Sequence, residues 1–562
     1  MIFVAAEIFI RRILPVITLL VFCVACAGLK SDPLQDPSLS EEASARIVRD
    51  IFQPLAEQGE KQAQFSLGEM YSKGEGVSKD SEQAAIWYTK AAEQGDARAQ
   101  RNLGLLFIND DGMPVDHEKA AFWLSKAAEQ GDAEAQYNLG FLYSKGEGVP
   151  KDMEQAASWY AKAAEQGNRE AQFKLAVYYG SGNGGTIKDI QKVEFWMMKS
   201  AEQGNQRALY VLGLMNSSDK WLQNDGKLAA HWYAKAALQG NSDAQFQLGF
   251  AYAYGESVPK DQKLAAFWYS KAAEQGDMYS QLAVGSMYAT GDGVEKNMKL
   301  AAKWLSMAAD QQLPDAQRML GYMYAEGDGV SRDLKKAFEL YSKAAEQGNI
   351  LAQAVLGDMY LYGTGVPKDI SKALEWYNKA VEQGNIQVML RLAANYNSDF
   401  GEIPKDLSKA VELYTMAAEQ GDTSAQCHLG MMFRFGDGVE KNLKKAAEWY
   451  GKAAEQGDDS GLWNLGECYR FGTGVPQDYG KAIEYFTKAA EKGNSFAASS
   501  LASLYEERQG VPKDLVLAYA WYEVAASLRN SSYVKKERKR VAKELTPSQL
   551  AAAKDLARQL HK

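Results

Sequence analysis

Histidine and cysteine are scarce in this 562-residue chain, which has four of each. The histidines are His117, His231, His428 and His561. They lie far apart in the sequence and lack the spacing of metal ligands. Two cysteines fall in the N-terminal segment. We expect the other two, Cys427 and Cys468, to be buried thiols, with a disulfide between them as the less favoured alternative. The sequence therefore predicts neither a metal site nor a cofactor site.

An excess of positive charge is also missing. The 63 lysines and arginines are outnumbered by 72 aspartates and glutamates, so the net charge is −9 and the pI is about 5.4. This balance gives no electrostatic reason to expect nucleic acid as a partner.

Catalytic motifs are absent or incomplete. A Ser-x-x-Lys sequence at Ser217–Lys220 lacks the Ser-Asp-Asn and Lys-Thr-Gly elements that penicillin-recognising enzymes also need. Gly-x-Gly turns such as Gly291–Gly293 join two predicted helices, with no strand before them, and so are not phosphate-binding loops. We predict no catalytic residues and no enzyme activity.

What the chain does have is a period of 36 residues. The glycine that closes the sequence AAEQG recurs at Gly59, Gly95, Gly131, Gly167, Gly204, Gly240, Gly276, Gly348, Gly384, Gly421, Gly457 and Gly493. Gln312 and Arg529 replace this glycine at the ends of two further units. The units ending at Gly204 and Gly421 have 37 residues. Thirteen units from residue 60 to residue 529 predict a solenoid, in which each unit packs on its neighbours.

Each unit contains two helical patterns. In Asp132–Gly167, Ala135, Leu139 and Leu142 share one helix face, and a second face follows after a Gly- and Pro-containing turn. Every second helix is preceded by Asp or Asn, the residues best suited to cap a helix start. These residues are Asp80, Asp116, Asp152, Asp189, Asp225, Asp261, Asn297, Asp333, Asp369, Asp406, Asn442, Asp478 and Asp514. The predicted fold is all-α, a solenoid of αα-hairpins.

Two further positions predict how the helices pack. One position of the second helix is Trp87, Trp123, Trp159, Trp196, Trp232, Trp268, Trp304, Trp376, Trp449 and Trp521. Tryptophan there buries enough area to join neighbouring units. Mid-way along the first helix stand Gly68, Gly104, Gly140, Gly213, Gly249, Gly285, Gly321, Gly357, Gly430 and Gly466. Glycine is unfavourable in a helix, so its recurrence predicts a close backbone approach.

The pattern A-x-x-x-L-G-x-x-Y-x-x-G-x-G-V-x-x-D-x-x-x-A-x-x-W-Y-x-K-A-A-E-Q-G resembles the Sel-1-like repeat, a relative of the tetratricopeptide repeat. The resemblance implies a right-handed superhelix of helix pairs that serves mainly as a protein-interaction scaffold, here of the bacterial secreted or lipoprotein type. Three loops depart from the pattern, namely Gly180–Lys188, Asn216–Asp225 and Asn397–Pro404. Irregular loops in repeat proteins often carry specific contacts.

Residues 1–27 are predicted to be a targeting segment, since two arginines precede the apolar run Ile13–Ala25. Cleavage after Ala27 is one outcome. Lipidation of Cys26, with residues 28–43 as a flexible tether, is another, and an uncleaved anchor is a third. Each outcome places the repeats outside the cytosol, in the periplasm, on the outer membrane or secreted.

The two ends of the array are predicted to be capped. Residues 44–59 resemble the second half of a repeat, and residues 530–562 form a C-terminal helical cap in which Thr546–Leu550 starts a helix. The basic run Lys535–Arg540 is expected to be a solvated helix face, with an acidic partner or anionic lipid as the alternative.

One column of the first helix suggests a binding surface. Two residues after the leucine of the recurring L-G pair, successive units carry Leu105, Phe141, Val177, Leu214 and Phe250. We hypothesise that this column lines the concave groove and binds an extended peptide or a partner helix. Helix–helix packing is the alternative interpretation.

Together these features predict a non-enzymatic scaffold of the bacterial cell envelope whose partners are other proteins. Two alternatives stay open. In the first, the chain is a peptidoglycan- or polysaccharide-associated protein, either a glycan binder or a cell-wall enzyme. In the second, it is a secreted effector directed at host proteins.

Overall fold

The computed structural model describes residues 48–109, 112–182, 189–217, 225–399 and 401–561, and within these ranges every regular element is helical. A π-helical turn, Val48–Phe52, comes first. The α-helices α1 to α29 are, in order, Gln53–Glu57, Lys61–Lys73, Ser81–Glu93, Ala97–Leu106, His117–Glu129, Ala133–Lys145, Met153–Glu165, Arg169–Ser181, Ile190–Glu202, Gln206–Asn216, Gly226–Leu238, Ser242–Tyr254, Gln262–Glu274, Met278–Thr290, Met298–Asp310, Pro314–Glu326, Leu334–Glu346, Ile350–Tyr362, Ile370–Glu382, Ile386–Asn397, Leu407–Glu419, Thr423–Phe435, Leu443–Glu455, Asp459–Phe471, Tyr479–Glu491, Ser495–Glu507, Leu515–Leu528, Ser532–Ala542 and Pro547–Leu560. The predicted all-α hairpin solenoid is confirmed.

Helices α2 to α27 form thirteen consecutive pairs, one pair for each predicted repeat. The described residues up to Ser280, with 292–294, form one compact unit. Residues 281–291 and those from Glu295 onwards form a second unit. The predicted targeting segment, Cys26 and the tether lie outside the described residues, as do 183–188, 218–224 and Phe400 of the irregular loops.

All thirteen predicted caps are present at the starts of the second helices. In α7, for example, the Asp152 carboxylate accepts hydrogen bonds from the backbone amides of Glu154 and Gln155, both at 2.9 Å. The other twelve Asp and Asn residues also accept backbone amides. Helix α6, the first helix of its repeat, is followed by the C-cap residue Gly146. Its φ of 80° is the left-handed conformation that favours glycine.

The glycines within the first helices have a different neighbour from the one predicted. A Cβ on Gly140 would lie 2.9 Å from Cδ1 of Tyr160, and one on Gly357 would lie 2.5 Å from Cε1 of Tyr377. The close contact is therefore mainly with the side chain of the second helix, one residue after the tryptophan column, and only secondarily with backbone. The prediction of a close approach holds, but its partner is an aromatic ring.

The tryptophan column joins repeats as predicted. Trp159 of α7 packs, half-buried, against an apolar cluster that contains Leu124 of the preceding repeat together with Leu139 and Leu142 of its own repeat. The Lys162 ammonium lies 3.8 Å from the centroid of the Trp159 ring and covers its outer side. The aliphatic core thus continues from each repeat into the next within a unit.

A pair of buried glutamines, which the sequence analysis missed, adds polar bonds to this interface. In α6, Gln136 is buried and its Nε2 donates to the carbonyl oxygen of Ala128, 3.1 Å away at the end of the preceding second helix. Gln166 of the same repeat donates through Nε2 to Gln136 Oε1 at 2.8 Å and to the Gly131 carbonyl at 3.0 Å. The pair therefore adds side-chain hydrogen bonds to carbonyls at a helix end, where the Ala128 carbonyl also accepts the Gly131 amide at 3.0 Å.

This pair recurs in nine of the thirteen repeats. Its members are Gln64–Gln94, Gln100–Gln130, Gln136–Gln166, Gln172–Gln203, Gln245–Gln275, Gln281–Gln311, Gln317–Gln347, Gln353–Gln383 and Gln426–Gln456. Apolar residues take the first position in the other four repeats, as Leu209, Met389, Leu462 and Ala498. A polar residue at a fixed place on an otherwise apolar helix face is the sequence signal for such a bond.

Both ends of the repeat array are covered. Val48 and Ala56 pack against α2, where the Gln64 amide donates to the Ala56 carbonyl at 3.0 Å. At the other end, α28 and α29 pack on α27. Helix α29 begins at Pro547, and Thr546 and Gln549 form a reciprocal capping box.

We predict that Gln136→Leu lowers the free energy of unfolding by about 1–3 kcal/mol. The Ala128 carbonyl and the Gln166 amide would each lose the hydrogen bond that they make with the Gln136 side chain. Leucine fits this position in other repeats, so a clash is not the cause. Urea titration followed by circular dichroism measures the change. The control is Gln155→Leu on the exposed face of α7, for which we expect a change within about 0.5 kcal/mol. Equal stability of the two variants would show that the glutamine pair contributes nothing.

Candidate interaction surface

The predicted binding column lies on first helices of the first unit. Leu105, Phe141, Val177, Leu214 and Phe250 occupy α4, α6, α8, α10 and α12, respectively. None of the five is buried, and Val177 and Leu214 are 46% and 37% exposed. The apolar clusters between the helices do not include them. Their side chains are accessible to a partner, while their role in binding stays a prediction.

Cationic side chains surround the middle of this column. The Lys145 ammonium lies 5.9 Å from the centroid of the Phe141 ring. Partial burial lowers the pKa of Lys174, and the nearby charges of Arg207 and Lys145 lower it further. Three successive first helices, α6, α8 and α10, therefore bring three cations together, of which Lys145 lies beside Phe141, and the Glu170 carboxylate is also close to Lys174. This arrangement favours a ligand that has both acidic and apolar groups.

Aromatic rings hold the helix surface beneath these residues. Tyr137 packs against Tyr160 with ring centroids 5.9 Å apart, and Phe250 contacts Tyr254 at 4.5 Å. Burial raises the pKa of Tyr160 to about 12, so its hydroxyl stays neutral at physiological pH. The surface around Phe141 is thus supported by packed, uncharged rings.

A second depression lies on the first helices of the second unit. It is a cavity of about 690 Å³ whose lining includes Arg318, Tyr322, Leu351, Arg391 and His428. Tyr322 and Leu351 are both exposed. A volume of this size is typical of ligand sites. The sequence column runs into this cavity, because Tyr322 is the position equivalent to Phe141.

A polar network fixes one wall of the cavity. The Tyr377 hydroxyl donates to Asp358 Oδ1 at 2.5 Å, and Arg391 Nη1 donates to Asp358 Oδ2 at 2.8 Å. Burial, followed by the hydrogen bond to Asp358, raises the pKa of Tyr377. Asp358 occupies the helix position equivalent to Phe141 and Tyr322. Its pairing with Arg391 joins two repeats and depends on their spacing, which the sequence of one repeat does not contain.

A stacked histidine forms another part of the cavity lining. The His428 ring lies parallel to Tyr414, with centroids 4.9 Å apart, and its Nδ1 is 2.8 Å from the Ser424 carbonyl oxygen. The wall offers a flat aromatic surface and one ring nitrogen. Such a site is suited to binding a peptide group or an aromatic side chain.

The two described cysteines are free and buried, which confirms the prediction of buried thiols. Burial raises the pKa of both Cys427 and Cys468, and the Asp458 carboxylate, 3.5 Å from the Cys427 sulfur, raises that of Cys427 further. Among the described residues no cluster of His, Cys, Asp and Glu is arranged to hold a metal ion. Within the same ranges no helix has the length and apolar character needed to cross a membrane.

The Sel1 repeat family model matches this chain thirteen times. The matched segments are residues 61–96, 97–132, 133–168, 169–205, 206–241, 242–277, 279–313, 314–349, 350–385, 386–422, 423–458, 459–494 and 495–530. Their number equals the number of helix pairs, and each segment begins at or next to the start of a first helix.

Two solved structures are similar in sequence to this chain. The crystal structure of c5321, a protective antigen present in uropathogenic Escherichia coli strains, is 36% identical, covers 85% of this chain and 94% of its own, and has a TM-score of 0.53. A Sel1 repeat protein from Oxalobacter formigenes is 30% identical over 66% of this chain and 99% of its own, with a TM-score of 0.31. No curated protein matches the chain.

We predict that iodoacetamide at pH 8 labels Cys427 and Cys468 in the native protein to less than about a tenth of the extent reached in urea, because a buried thiol with a raised pKa forms little thiolate. Mass spectrometry of the two tryptic peptides measures each site separately. Equal labelling in both conditions, or a disulfide-linked pair of these peptides, would contradict the prediction.

Proposed function

Since the chain belongs to the Sel1 repeat family, we propose that it is a non-enzymatic scaffold of the bacterial cell envelope that binds other proteins along its first helices. Solenoids of this type offer a long surface on which several contacts act together. The observation that carries the proposal is the accessible column from Leu105 to Phe250, whose apolar side chains are left out of the core although burial would stabilise them.

The chemistry of the column supports a peptide as the ligand. The first helix of each repeat from Leu105 to Phe250 places one apolar side chain on this surface. Lys145, Lys174 and Arg207 add positive charge to it, and Lys145 lies beside Phe141. An extended segment with apolar residues and acidic groups complements both features. The cavity beside Arg391 and Tyr322 offers a second contact point of the same kind in the other unit.

The proposed location rests on the N-terminal sequence. Residues 1–27 combine two arginines, an apolar run and small residues before Cys26 and Ala27, as export signals do. The similar protein c5321 is a protective antigen, a role that fits an exported protein.

We predict that the double substitution Phe141→Ser and Phe250→Ser weakens partner binding at least tenfold. Burying one such side chain in an interface contributes about 1.5–3 kcal/mol. Thermal stability should stay close to that of the wild type, because both rings are partly exposed. General unfolding of the double variant would instead assign the column to helix packing.

A photo-crosslinking amino acid at position 141 identifies the partner needed for this measurement. The matched control carries it at Ser158, an exposed position on the second helix of the same repeat. Envelope proteins captured at 141 and not at 158 are those that bind the first helices. Equal capture at both positions would contradict binding along this face.

The envelope location is tested by fractionation of bacteria that express the full chain. We expect the protein outside the cytoplasm. Incorporation of labelled palmitate that disappears in Cys26→Ser would assign the lipid to Cys26, whereas export without label would assign a cleaved signal or an uncleaved anchor. Retention of all the protein in the cytoplasm would overturn the proposed location.

A further inference from the structure

Helix α28 of the C-terminal cap has one face made almost entirely of lysine. At about 100° per residue, five exposed residues fall within an arc of about 100°, which runs about 12 Å along the helix. These residues are Ser532, Lys535, Lys536, Lys539 and Lys543, the last being the C-cap, which keeps the helical conformation. We call the four lysines the lysine face. Val534 and Val541 are buried on the opposite side and pack in the apolar core of the unit.

The arginines of the same helix hold it in place. Arg538 Nη1 donates to the Glu523 carboxylate of α27 at 2.9 Å. Arg540 pairs with Glu506 of α26 and with Glu537 of its own helix. The Glu506 side chain is only 12% exposed, so this ion pair lies at the surface of the packed helices and is not free in solvent. These contacts fix which side of α28 faces outward.

The four lysines have no such partners. Among the described residues, none of them forms an ion pair with a carboxylate and none lies over an aromatic ring. Lys535 donates to the side-chain oxygen of Asn530, which is neutral. Glu537 and Glu544 lie about 130–150° around the helix from the middle of the lysine face, and both pair with Arg540. The positive charge of the lysine face is therefore not neutralised within the cap.

A second helix inside the array uses the same spacing differently. In α23, Glu448 lies four residues from both Lys444 and Lys452, so opposite charges alternate along the helix. In α28 the middle position of such a triplet is Lys539, with a lysine four residues away on either side. Opposite charges at this spacing stabilise a helix, and like charges destabilise it. The lysine face thus weakens the helix that carries it, and the fold does not require it.

This end of the chain stays positively charged when every residue is counted. Residues 495–562, which comprise the last repeat and the cap, contain twelve lysines and arginines and seven aspartates and glutamates. Their net charge is +5 with the N-cap Asp514 included, and since the whole chain has −9, residues 1–494 have −14. The N-cap of α28 is Ser531, so no capping carboxylate offsets the lysines at its start.

We propose that the lysine face docks the C-terminal end of the chain on an anionic phospholipid surface, independently of the scaffold function. Clusters of four or more basic residues on one helix are typical of such docking, in which the charges attract the anionic headgroups. Lysine suits this contact because its ammonium group is a hydrated point charge on a flexible stem. Neither insertion of apolar side chains nor a fixed geometry is needed.

Other polyanionic partners fit the lysine face less well. Protein interfaces are depleted in lysine and have aromatic or apolar residues at their centre, whereas the arc of the lysine face contains no apolar side chain. Nucleic-acid sites add arginines or stacking rings that reach the bases. Here Arg538 and Arg540 are already paired with carboxylates.

The test places a photo-crosslinking amino acid at Ser532, inside the arc, in the full chain. Vesicles of phosphatidylglycerol and phosphatidylethanolamine in a ratio of about 1:3 supply the anionic surface. Lipid captured at position 532 reports on the lysine face, whatever the apolar N-terminal run adds to vesicle binding. We expect at least about tenfold less capture from phosphatidylcholine vesicles, and less capture in about 0.5 M NaCl, which screens the lysines.

The variant Lys539→Glu separates lipid docking from helix stability. It gives α28 the alternating charges of α23, so circular dichroism should show a cap at least as stable as that of the wild type. Capture at position 532 should nevertheless fall at least about tenfold, because a basic residue is removed and a negative charge is added. The matched control is Lys444→Glu, the same change at an exposed position of α23, for which we expect capture within about twofold of the wild type.

Equal capture from anionic and phosphatidylcholine vesicles would overturn lipid docking. Capture that Lys539→Glu leaves unchanged, or that Lys444→Glu lowers to the same extent, would also overturn it, since the lysine face would then not be the contact. Stronger capture of a duplex DNA fragment than of lipid at position 532 would assign the face to nucleic acid instead.

Discussion

The structure depends on how each repeat satisfies the end of the helix before it. The last carbonyls of a second helix lack the amides of a continuing helix, and the next repeat adds side-chain hydrogen bonds to them beside those from the turn, such as the Gly131 amide on the Ala128 carbonyl. Gln136 places its amide under the Ala128 carbonyl, and Gln166 holds Gln136 in that position. Since an unpaired buried polar group is costly, this pair fixes the register of one repeat on the next.

The fixed interface leaves the outward columns free to vary. Residues between the helices are alanine, leucine, tyrosine and glutamine in nearly every repeat, whereas the exposed positions change from Phe195 and Phe267 to Glu339 and Glu375. The same holds on the first helices, where Phe141 of one unit corresponds to Tyr322 and Asp358 of the other. A constant frame with a variable surface accounts for a scaffold whose binding properties differ along its length.

Sequence reasoning predicted the frame well because its signals lie within one period. Caps such as Asp152 act over three residues, and the tryptophan column follows from helix periodicity. The partner of the internal glycines was assigned wrongly. A glycine is required whether the group packed against it is an aromatic ring, such as Tyr160, or a backbone segment, so the sequence does not distinguish the two. The glutamine pair and the Arg391–Asp358 contact were missed because they join residues about 30 or more positions apart. These contacts can be recognised only when the helices of successive repeats are placed side by side.

The central claim is that the glutamine pair strengthens the repeat interfaces that carry it. Native-state hydrogen exchange tests it most directly, since it measures the opening of each helix in the intact chain. Helix α20, in which Met389 replaces the glutamine, packs more loosely on α19 than the other first helices of its unit pack on their preceding partners. We expect the amides of α20 to exchange faster than those of α18 and α22, which carry Gln353 and Gln426. Equal or greater protection of α20 would contradict the account.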